Sequence, residues 1–153
     1  MPDPTAHAQV HVNATPARVY ALVSDLAGMA SSAEEYSGGT WLDGATGPAV
    51  GARFKGRNRR GWRRWSTTSR VTDAQVERFA FEVKSFGLPV ARWQYDIEPA
   101  DGGCVLTEST WDLRPAWYRP ITALGTGVGD RAAENQRNIE ATLGRLKAAA
   151  EAG

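Results

Sequence analysis

The sequence predicts an α+β domain in which a curved antiparallel sheet of about six to seven strands wraps around one long C-terminal helix. Between Thr40 and Leu113 apolar residues alternate with polar ones in short runs bounded by Gly, Pro and Asp, which is typical of strands. After Asp130 apolar residues recur at helical spacing to Ala150. An antiparallel meander exposes one apolar face, and this helix is large enough to cover it. A hollow between sheet and helix is therefore the place to look for function.

The N-terminal segment predicts one strand and then one or two short helices. "AHAQVHV" alternates, with Ala8, Val10 and Val12 on one face, as in a half-buried strand. Thr15 is a good N-cap and Pro16 suits the first helical position. The helix that follows carries an apolar stripe of Val19, Leu22, Val23 and Leu26. A second short helix is predicted from about Met29 to Tyr36.

The rest of the chain predicts about six strands, a loop and the long helix. A hairpin is expected around Arg59 to Gly61. The segment Leu113 to Gly129 is rich in Pro and Gly and is interpreted as a loop, with "GTGVG" forming a flexible lid at the cavity mouth. Asp130 caps the final helix. The helix's apolar face comprises Ile139, Leu143, Leu146 and Ala150.

Composition predicts one soluble domain spanning residues 1–153, with a core over about 8–149. The formal net charge is only +1, so the whole molecule is not a polyanion binder. Cys104 is the single cysteine, which suits a reducing compartment. The start lacks the pattern of a signal peptide, and no apolar run is long enough to span a bilayer. A cytoplasmic location is expected.

Two stretches resemble a known superfamily. "VNATPARVYALVSDLAGM" resembles the N-terminal signature of the START-like, helix-grip (SRPBCC) superfamily, which includes polyketide cyclase/dehydrase-like and lipid-transfer proteins. "GATGPAVGARFKGRNRRGWRRW" is similar to an actinobacterial branch of that group. The resemblance implies a helix-grip fold with a ligand cavity and, in some members, aromatase or cyclase activity. The chain departs from the pattern at "SAEEY", residues 32–36, where an aromatic at the cavity mouth is missing.

The run "FKGRNRRGWRRW", residues 54–65, contains six of the chain's eighteen basic residues and no acid. If Phe54 faces inward, Lys55, Arg57 and Arg59 face water, and the run is the solvated face of a hairpin anchored by Trp62 and Trp65. A phosphate-contacting patch is the functional alternative, but the balanced charge elsewhere and the lack of nucleic-acid motifs argue against nucleic acid.

The resemblance adds a third interpretation of the basic run. Cyclases that act on carrier-bound chains need a surface for an acidic acyl carrier protein, and a basic rim beside the cavity could steer one. The residues concerned are Lys55, Arg57, Arg59, Arg60, Arg63 and Arg64.

Candidate ligand-binding residues share the inward register of the strands or the inner face of the last helix. The aromatic residues would form the apolar wall of the cavity. Buried polar residues need a hydrogen-bond partner, which a ligand could provide. The set is Trp41, Phe54, Asn58, Trp65, Thr67, Ser69, Phe81, Trp93, Tyr95, Trp111 and Asn135.

The strand "CVLTESTWDL" leaves two registers open. The face with Val105 and Trp111 is the more apolar, so it is predicted to point inward and Glu108 outward. In the reverse register Glu108 is a carboxyl group in an apolar cavity with a raised pKa, and so a candidate general acid or base. Tyr95 is the other weak catalytic candidate.

No metal site and no cofactor are predicted. His7 and His11 lie about 13 Å apart along a strand, too far to chelate one ion. The leading hypothesis is a protein that binds a hydrophobic small molecule, polyketide-like, polycyclic or acyl, in natural-product biosynthesis or self-resistance. The alternative is a polyketide cyclase, aromatase or dehydratase acting on a carrier-bound chain.

Overall fold

The computed structural model describes residues 2–152, which form seven strands and four α-helices with one 3-10 turn. The strands are β1 (Ala6–Val12), β2 (Tyr36–Trp41), β3 (Arg53–Arg60), β4 (Arg63–Gln75), β5 (Arg78–Ser85), β6 (Leu88–Ala100) and β7 (Gly103–Asp112). The helices are α1 (Pro16–Val23), α2 (Leu26–Met29), α3 (Arg119–Thr126) and α4 (Arg131–Ala152), with the 3-10 turn at Ala116–Tyr118.

All seven strands belong to one antiparallel sheet in the order β1-β7-β6-β5-β4-β3-β2. Strands β2 to β7 follow one another as a meander, and β1 pairs with the last of them, as the antiparallel α+β prediction requires. Register shifts interrupt the β4–β5 and β5–β6 pairs near Val71 and Val83. Such bulges bend a strand and increase its twist, which helps the sheet to curve around the helix.

The predicted cap of α1 is confirmed. The Thr15 hydroxyl accepts a hydrogen bond from the backbone N–H of Arg18, and Pro16 occupies the first turn, where a missing N–H leaves no bond unmade. The second helix is shorter and earlier than predicted. It begins after Asp25, whose carboxylate accepts from the N–H of Ala27, and ends at Met29, while Tyr36 is already in β2.

Helix α4 covers the concave face of the sheet, and its predicted apolar face is confirmed. Ile139, Leu143, Leu146 and Ala150 are all buried, and the helix packs mainly against β1. Its first turn is capped by Asp130, whose carboxylate accepts from the N–H of Ala133. Residues of α4 between Arg131 and Thr142 line the hollow described below. No helix within residues 2–152 combines the length and apolar character needed to cross a bilayer.

The segment Leu113 to Gly129 contains helix α3, so its interpretation as a loop was wrong. Pro120 lies in the first turn of α3, where proline is tolerated, and Gly127 ends the helix in a left-handed conformation with φ of 77°. The proline and glycine that suggested a loop therefore mark the two ends of a short helix.

The predicted register of β7 was also wrong. Cys104, Leu106, Glu108 and Thr110 are buried, and Trp111 is only half-buried, its indole N–H donating to the carbonyl of Pro2. The pairing with β6 explains the error. Tyr95 lies directly opposite Glu108, and directly paired residues of neighbouring strands share a face of the sheet.

Candidate functional site: a cavity with a buried carboxyl group

A cavity of about 310 Å³ lies between the sheet, α4 and α3. Strands β3 to β7 supply one wall, the first turns of α4 supply the opposite wall, and α3 with the 3-10 turn closes one end. Its volume lies at the lower end of the range for small-molecule sites. Most of the wall is apolar. The space remains unfilled because inward residues of the curved sheet outnumber those that a single helix can contact.

Nine of the eleven predicted ligand-binding residues line this cavity. They are Phe54, Asn58, Trp65, Thr67, Ser69, Phe81, Trp93, Tyr95 and Asn135. Trp41 instead packs its ring edge-on against Phe54, with 5.5 Å between ring centroids, and so supports the wall from behind. Trp111 lies on the other face of β7, as the register correction requires.

Glu108 and Tyr95 form the polar center of the cavity. The Tyr95 hydroxyl donates a hydrogen bond of 2.8 Å to Glu108 Oε2, and both side chains are buried. The other carboxyl oxygen, Oε1, is buried without a hydrogen-bond partner. A buried polar atom without a partner is costly, so Oε1 is the atom of this pair that remains available to a ligand.

Burial sets the protonation of this pair. Removal from water raises the pKa of Glu108 from 4.5 to about 8, and the Tyr95 hydrogen bond lowers it only in part. Burial and the neighbouring carboxyl group hold the pKa of Tyr95 well above its usual value. At neutral pH Glu108 therefore retains its proton. Since Oε2 accepts from Tyr95, the proton belongs on Oε1, which makes that atom a hydrogen-bond donor.

Other polar groups line the same wall. The Asn58 amide lies 3.5 Å from the Thr67 hydroxyl, a long hydrogen bond that leaves both groups free to reorient. Ser69 and Asn135 are buried in the cavity wall. A carboxyl, a hydroxyl and amide groups around an apolar interior can orient a ligand that carries a few oxygen atoms.

Two arginines that no sequence pattern marked hold α3 across the cavity end. Arg114 binds Asp112 through two hydrogen bonds of 2.9 and 2.7 Å and donates to the Thr122 hydroxyl. Arg131 pairs with Glu35 at 2.6 Å and donates to the hydroxyl of Thr126. The signal was present in part, because Glu35 belongs to the "SAEEY" segment that departs from the superfamily pattern.

The carboxyl groups that pair with these two arginines have pKa values shifted in opposite directions. Burial raises the pKa of Asp112, but the hydrogen bonds and charge of Arg114 outweigh it and leave the pKa lowered. At Glu35 burial dominates, so its pKa stays raised despite the charge of Arg131. Both guanidinium groups are thus engaged by carboxyl groups at the cavity border and are not free cations.

The basic run of β3 and β4 follows the predicted alternation. Lys55, Arg57 and Arg59 are exposed, as expected for the solvated face of a hairpin. Trp65 lines the cavity, but Trp62 is exposed and anchors nothing, carrying instead the Arg63 guanidinium 4.4 Å above its ring. A charged groove of about 340 Å³ beside the hairpin is lined by Arg59, Arg60, Arg64, Glu34, Glu35 and Glu134 among others, so acids balance the arginines there.

Within residues 2–152, no three His, Cys, Asp or Glu side chains are grouped closely enough to hold a metal ion. Cys104 is buried, and burial raises the pKa of its thiol, which makes it a poor nucleophile. The chemistry of the site therefore depends on the Glu108–Tyr95 pair.

A family model described as polyketide cyclase / dehydrase and lipid transport matches residues 3–151. The chain belongs to this family. The predicted resemblance is thereby confirmed at family level, and the narrower actinobacterial assignment stays a prediction. No curated protein matches the chain significantly.

Solved structures agree with this membership. A polyketide-cyclase-like protein of Corynebacterium glutamicum is 30% identical to this chain, with a TM-score of 0.63. The match covers 96% of this chain and 91% of the Corynebacterium protein. The di-domain ARO/CYC StfQ of the steffimycin biosynthetic pathway is 14% identical, with a TM-score of 0.70 over 95% of this chain. The di-domain ARO/CYC BexL is 22% identical, with a TM-score of 0.68 over 96% of this chain. This chain covers 50% of each di-domain protein, and at these identities the likeness shows the fold.

Proposed function

We propose that the protein binds a neutral hydrophobic small molecule, polyketide-like, polycyclic or acyl, whose oxygen atom accepts a hydrogen bond from Glu108. The observation that carries the proposal is the unpartnered Oε1 of a protonated carboxyl group in the wall of an apolar cavity. A ligand carbonyl or hydroxyl placed there satisfies the carboxyl group without any change in charge.

The charge of the cavity supports a neutral ligand over an anionic one. The two guanidinium groups at its border, those of Arg114 and Arg131, already pair with Asp112 and Glu35. An anionic ligand would have to displace one of these carboxylates or lie beside Glu108 in a medium of low polarity, and both cost free energy. Affinity would come from burial of apolar surface, at about 25 cal/mol per Å² removed from water.

Family membership supports the polyketide-like class of ligand, and the di-domain ARO/CYC neighbours share the fold. We extend the proposal to a role in natural-product biosynthesis or in self-resistance. In the first role the ligand is an intermediate, and in the second it is a finished product held away from its target.

The first test is native mass spectrometry of the purified protein, followed by release and identification of any bound compound. A binding assay with Nile red, a neutral polycyclic ketone that fluoresces in apolar surroundings, complements it. Thr67→Trp, which fills the cavity, should abolish the fluorescence increase, whereas Thr68→Trp, one residue along β4 and outside the cavity lining, should preserve it. Equal binding by both variants would show that Nile red binds elsewhere and would count against the cavity as the ligand site.

The protonated Glu108 also supports a second candidate, a cyclase, aromatase or dehydratase that acts on a carrier-bound chain. An acid with a pKa near neutrality is suited to donate a proton to a carbonyl and to take one back. In that case Glu108→Gln would abolish turnover and leave Nile red affinity within a few-fold. If turnover of a poly-β-keto substrate survives this change, Glu108 is not the acid.

The acidic carrier protein of that second candidate would dock at the exposed arginines of the basic run. Replacement of Arg57, Arg59 and Arg60 with Glu should then abolish a salt-sensitive association. An association unaffected by these substitutions would exclude this surface.

A further inference from the structure

Exposed apolar side chains are concentrated at the end of the sheet where α3 and the 3-10 turn cover the cavity. Six of the eight large apolar side chains exposed within residues 2–152 belong to the mouth patch, defined as Trp62, Phe86, Leu113, Trp117, Ile121 and Leu124. The other two, Val50 and Val76, lie near the opposite end, before β3 and in the β4–β5 turn.

Contacts between neighbouring segments join the mouth patch into one surface. The β3–β4 turn, the β5–β6 turn and the end of β7 all lie at the same end of the antiparallel sheet. The Tyr118 hydroxyl lies 3.4 Å from the carbonyl oxygen of Ser85 and so links the 3-10 turn to the β5–β6 turn. Arg63 packs so closely on Gly127 that a Cβ there would come within 2.9 Å of its guanidinium, which links the β3–β4 turn to α3.

Helix α3 turns its polar side toward the protein and its apolar side toward solvent. Thr122 and Thr126 are half-buried and bonded to the arginines of the cavity border, whereas Ile121 is 56% and Leu124 80% exposed. A helix normally buries its apolar side chains and presents hydroxyls to solvent. The exposed side of α3 is therefore suited to an apolar partner.

Phe86 protrudes from the β5–β6 turn in the same direction. It is 98% exposed and adopts a φ of 51°, a left-handed conformation that is unfavourable for a bulky residue. Neither the exposure nor the backbone conformation of this phenylalanine stabilises the protein in water. The two-residue β5–β6 turn sets the φ, since Gly87 also has a positive φ of 76° there, whereas the exposure of the ring is explained if it enters an apolar phase.

Arginines surround these apolar groups. Arg63 lies over the Trp62 ring, Arg64 donates to the carbonyls of Gly61 and Arg63, and Arg119 at the start of α3 is largely exposed. Aromatic and aliphatic side chains at the level of guanidinium groups match the headgroup region of an anionic bilayer, where rings and arginines both find favourable surroundings.

We propose that the mouth patch docks on the surface of an anionic lipid bilayer and that the cavity exchanges its hydrophobic ligand directly with that bilayer. Phe86 and Ile121 line the cavity as well as the patch, so an apolar molecule entering there would avoid water. The exchange step rests on the proposed function, but docking does not and can be measured without a ligand.

An acidic protein partner fits the same end less well. Lys55, Arg57 and Arg59 point from the outer face of β3, and Arg60 is engaged by Glu134 at 3.5 Å, so the basic run does not form one continuous patch at the mouth. Phe86 and Leu124 are the most exposed of the large apolar side chains, and both belong to the mouth patch.

The test is flotation of the full chain with vesicles of phosphatidylcholine and phosphatidylglycerol in equal parts. Phe86→Asn combined with Leu124→Gln removes two protruding apolar groups, and asparagine suits the left-handed turn. The matched control combines Val50→Gln with Val76→Gln at the opposite end of the sheet. We expect the mouth variant to lose at least about tenfold in vesicle partitioning and the control to keep wild-type partitioning, with unchanged melting temperatures. Vesicles of phosphatidylcholine alone, or high salt, should weaken binding by the wild type.

Three results would overturn the proposal. The wild type fails to float with anionic vesicles, or the mouth and control variants partition equally, or binding is the same to neutral vesicles. A salt-sensitive complex with an acidic acyl carrier protein, lost in the mouth variant while vesicles stay unbound, would assign the surface to a protein partner instead. Nile red binding in solution is measured in parallel, because a docking failure with intact Nile red binding leaves the ligand cavity unaffected.

Discussion

Substitution of Glu108 by Gln should stabilise the protein, and increasingly so as pH rises. The carboxyl group has a pKa of 4.5 when exposed and about 8 when buried in the fold. Between these values the unfolded state loses its proton and the folded state keeps it, so the free energy of unfolding falls as pH rises. Below pH 4.5 both states are protonated and the contribution vanishes.

The two pKa values set the size of the effect. Each unit of difference is worth about 1.4 kcal/mol, so at pH 7 the glutamate costs about 3 kcal/mol relative to a neutral residue of the same shape. The same relation gives a cost of about 1 kcal/mol at pH 5 and about 4 kcal/mol at pH 8. Glutamine can still accept from Tyr95, so Glu108→Gln removes the ionisation and little else.

The assay is urea denaturation of the wild type and the variant at several pH values from 5 to 9, with Glu98→Gln as an exposed control on the neighbouring strand β6. The difference in unfolding free energy between Glu108→Gln and wild type should widen from pH 5 to pH 8 and then level off. A difference that does not change with pH would refute the burial argument, as would one that narrows. Glu98→Gln should show no such trend.

Three further predictions follow from other contacts. Tyr95→Phe removes the donor to Glu108, so stability should fall by about 1–3 kcal/mol and the pKa of the carboxyl should rise further, which NMR titration of Glu108 would detect. Gly103→Ala should destabilise the protein by about 1–3 kcal/mol, because its Cβ would lie 2.0 Å from a backbone oxygen. Gly144→Ala meets nothing within 4 Å and should stabilise α4 by up to about 1 kcal/mol, as measured by thermal denaturation. Thr122→Val removes the Arg114 hydrogen bond and should speed hydrogen exchange in α3 with little change in global stability. Unchanged exchange would show that this bond does not hold α3 in place.

Local patterns in the sequence determined most of the architecture. Alternation identified the strands, and the helical spacing of Ile139, Leu143 and Leu146 identified the helix that covers them. The inward register of β3 to β6 followed from the same alternation, which is why residues such as Phe54, Ser69 and Tyr95 were correctly expected at the cavity. These features depend on neighbours along the chain, and the sequence contains them directly.

Only the tertiary structure decided which face of β7 points inward. Counted alone, the side with Val105 and Trp111 is the more apolar, but pairing opposite Tyr95 turns Glu108 into the cavity. The raised pKa of that carboxyl arises from burial among residues of other strands, and no local pattern encodes it. Helix α3 was missed for a related reason. Its threonines point inward because they bond to Arg114 and Arg131 at the border of a cavity that distant segments of the chain build together, and this leaves its apolar side exposed.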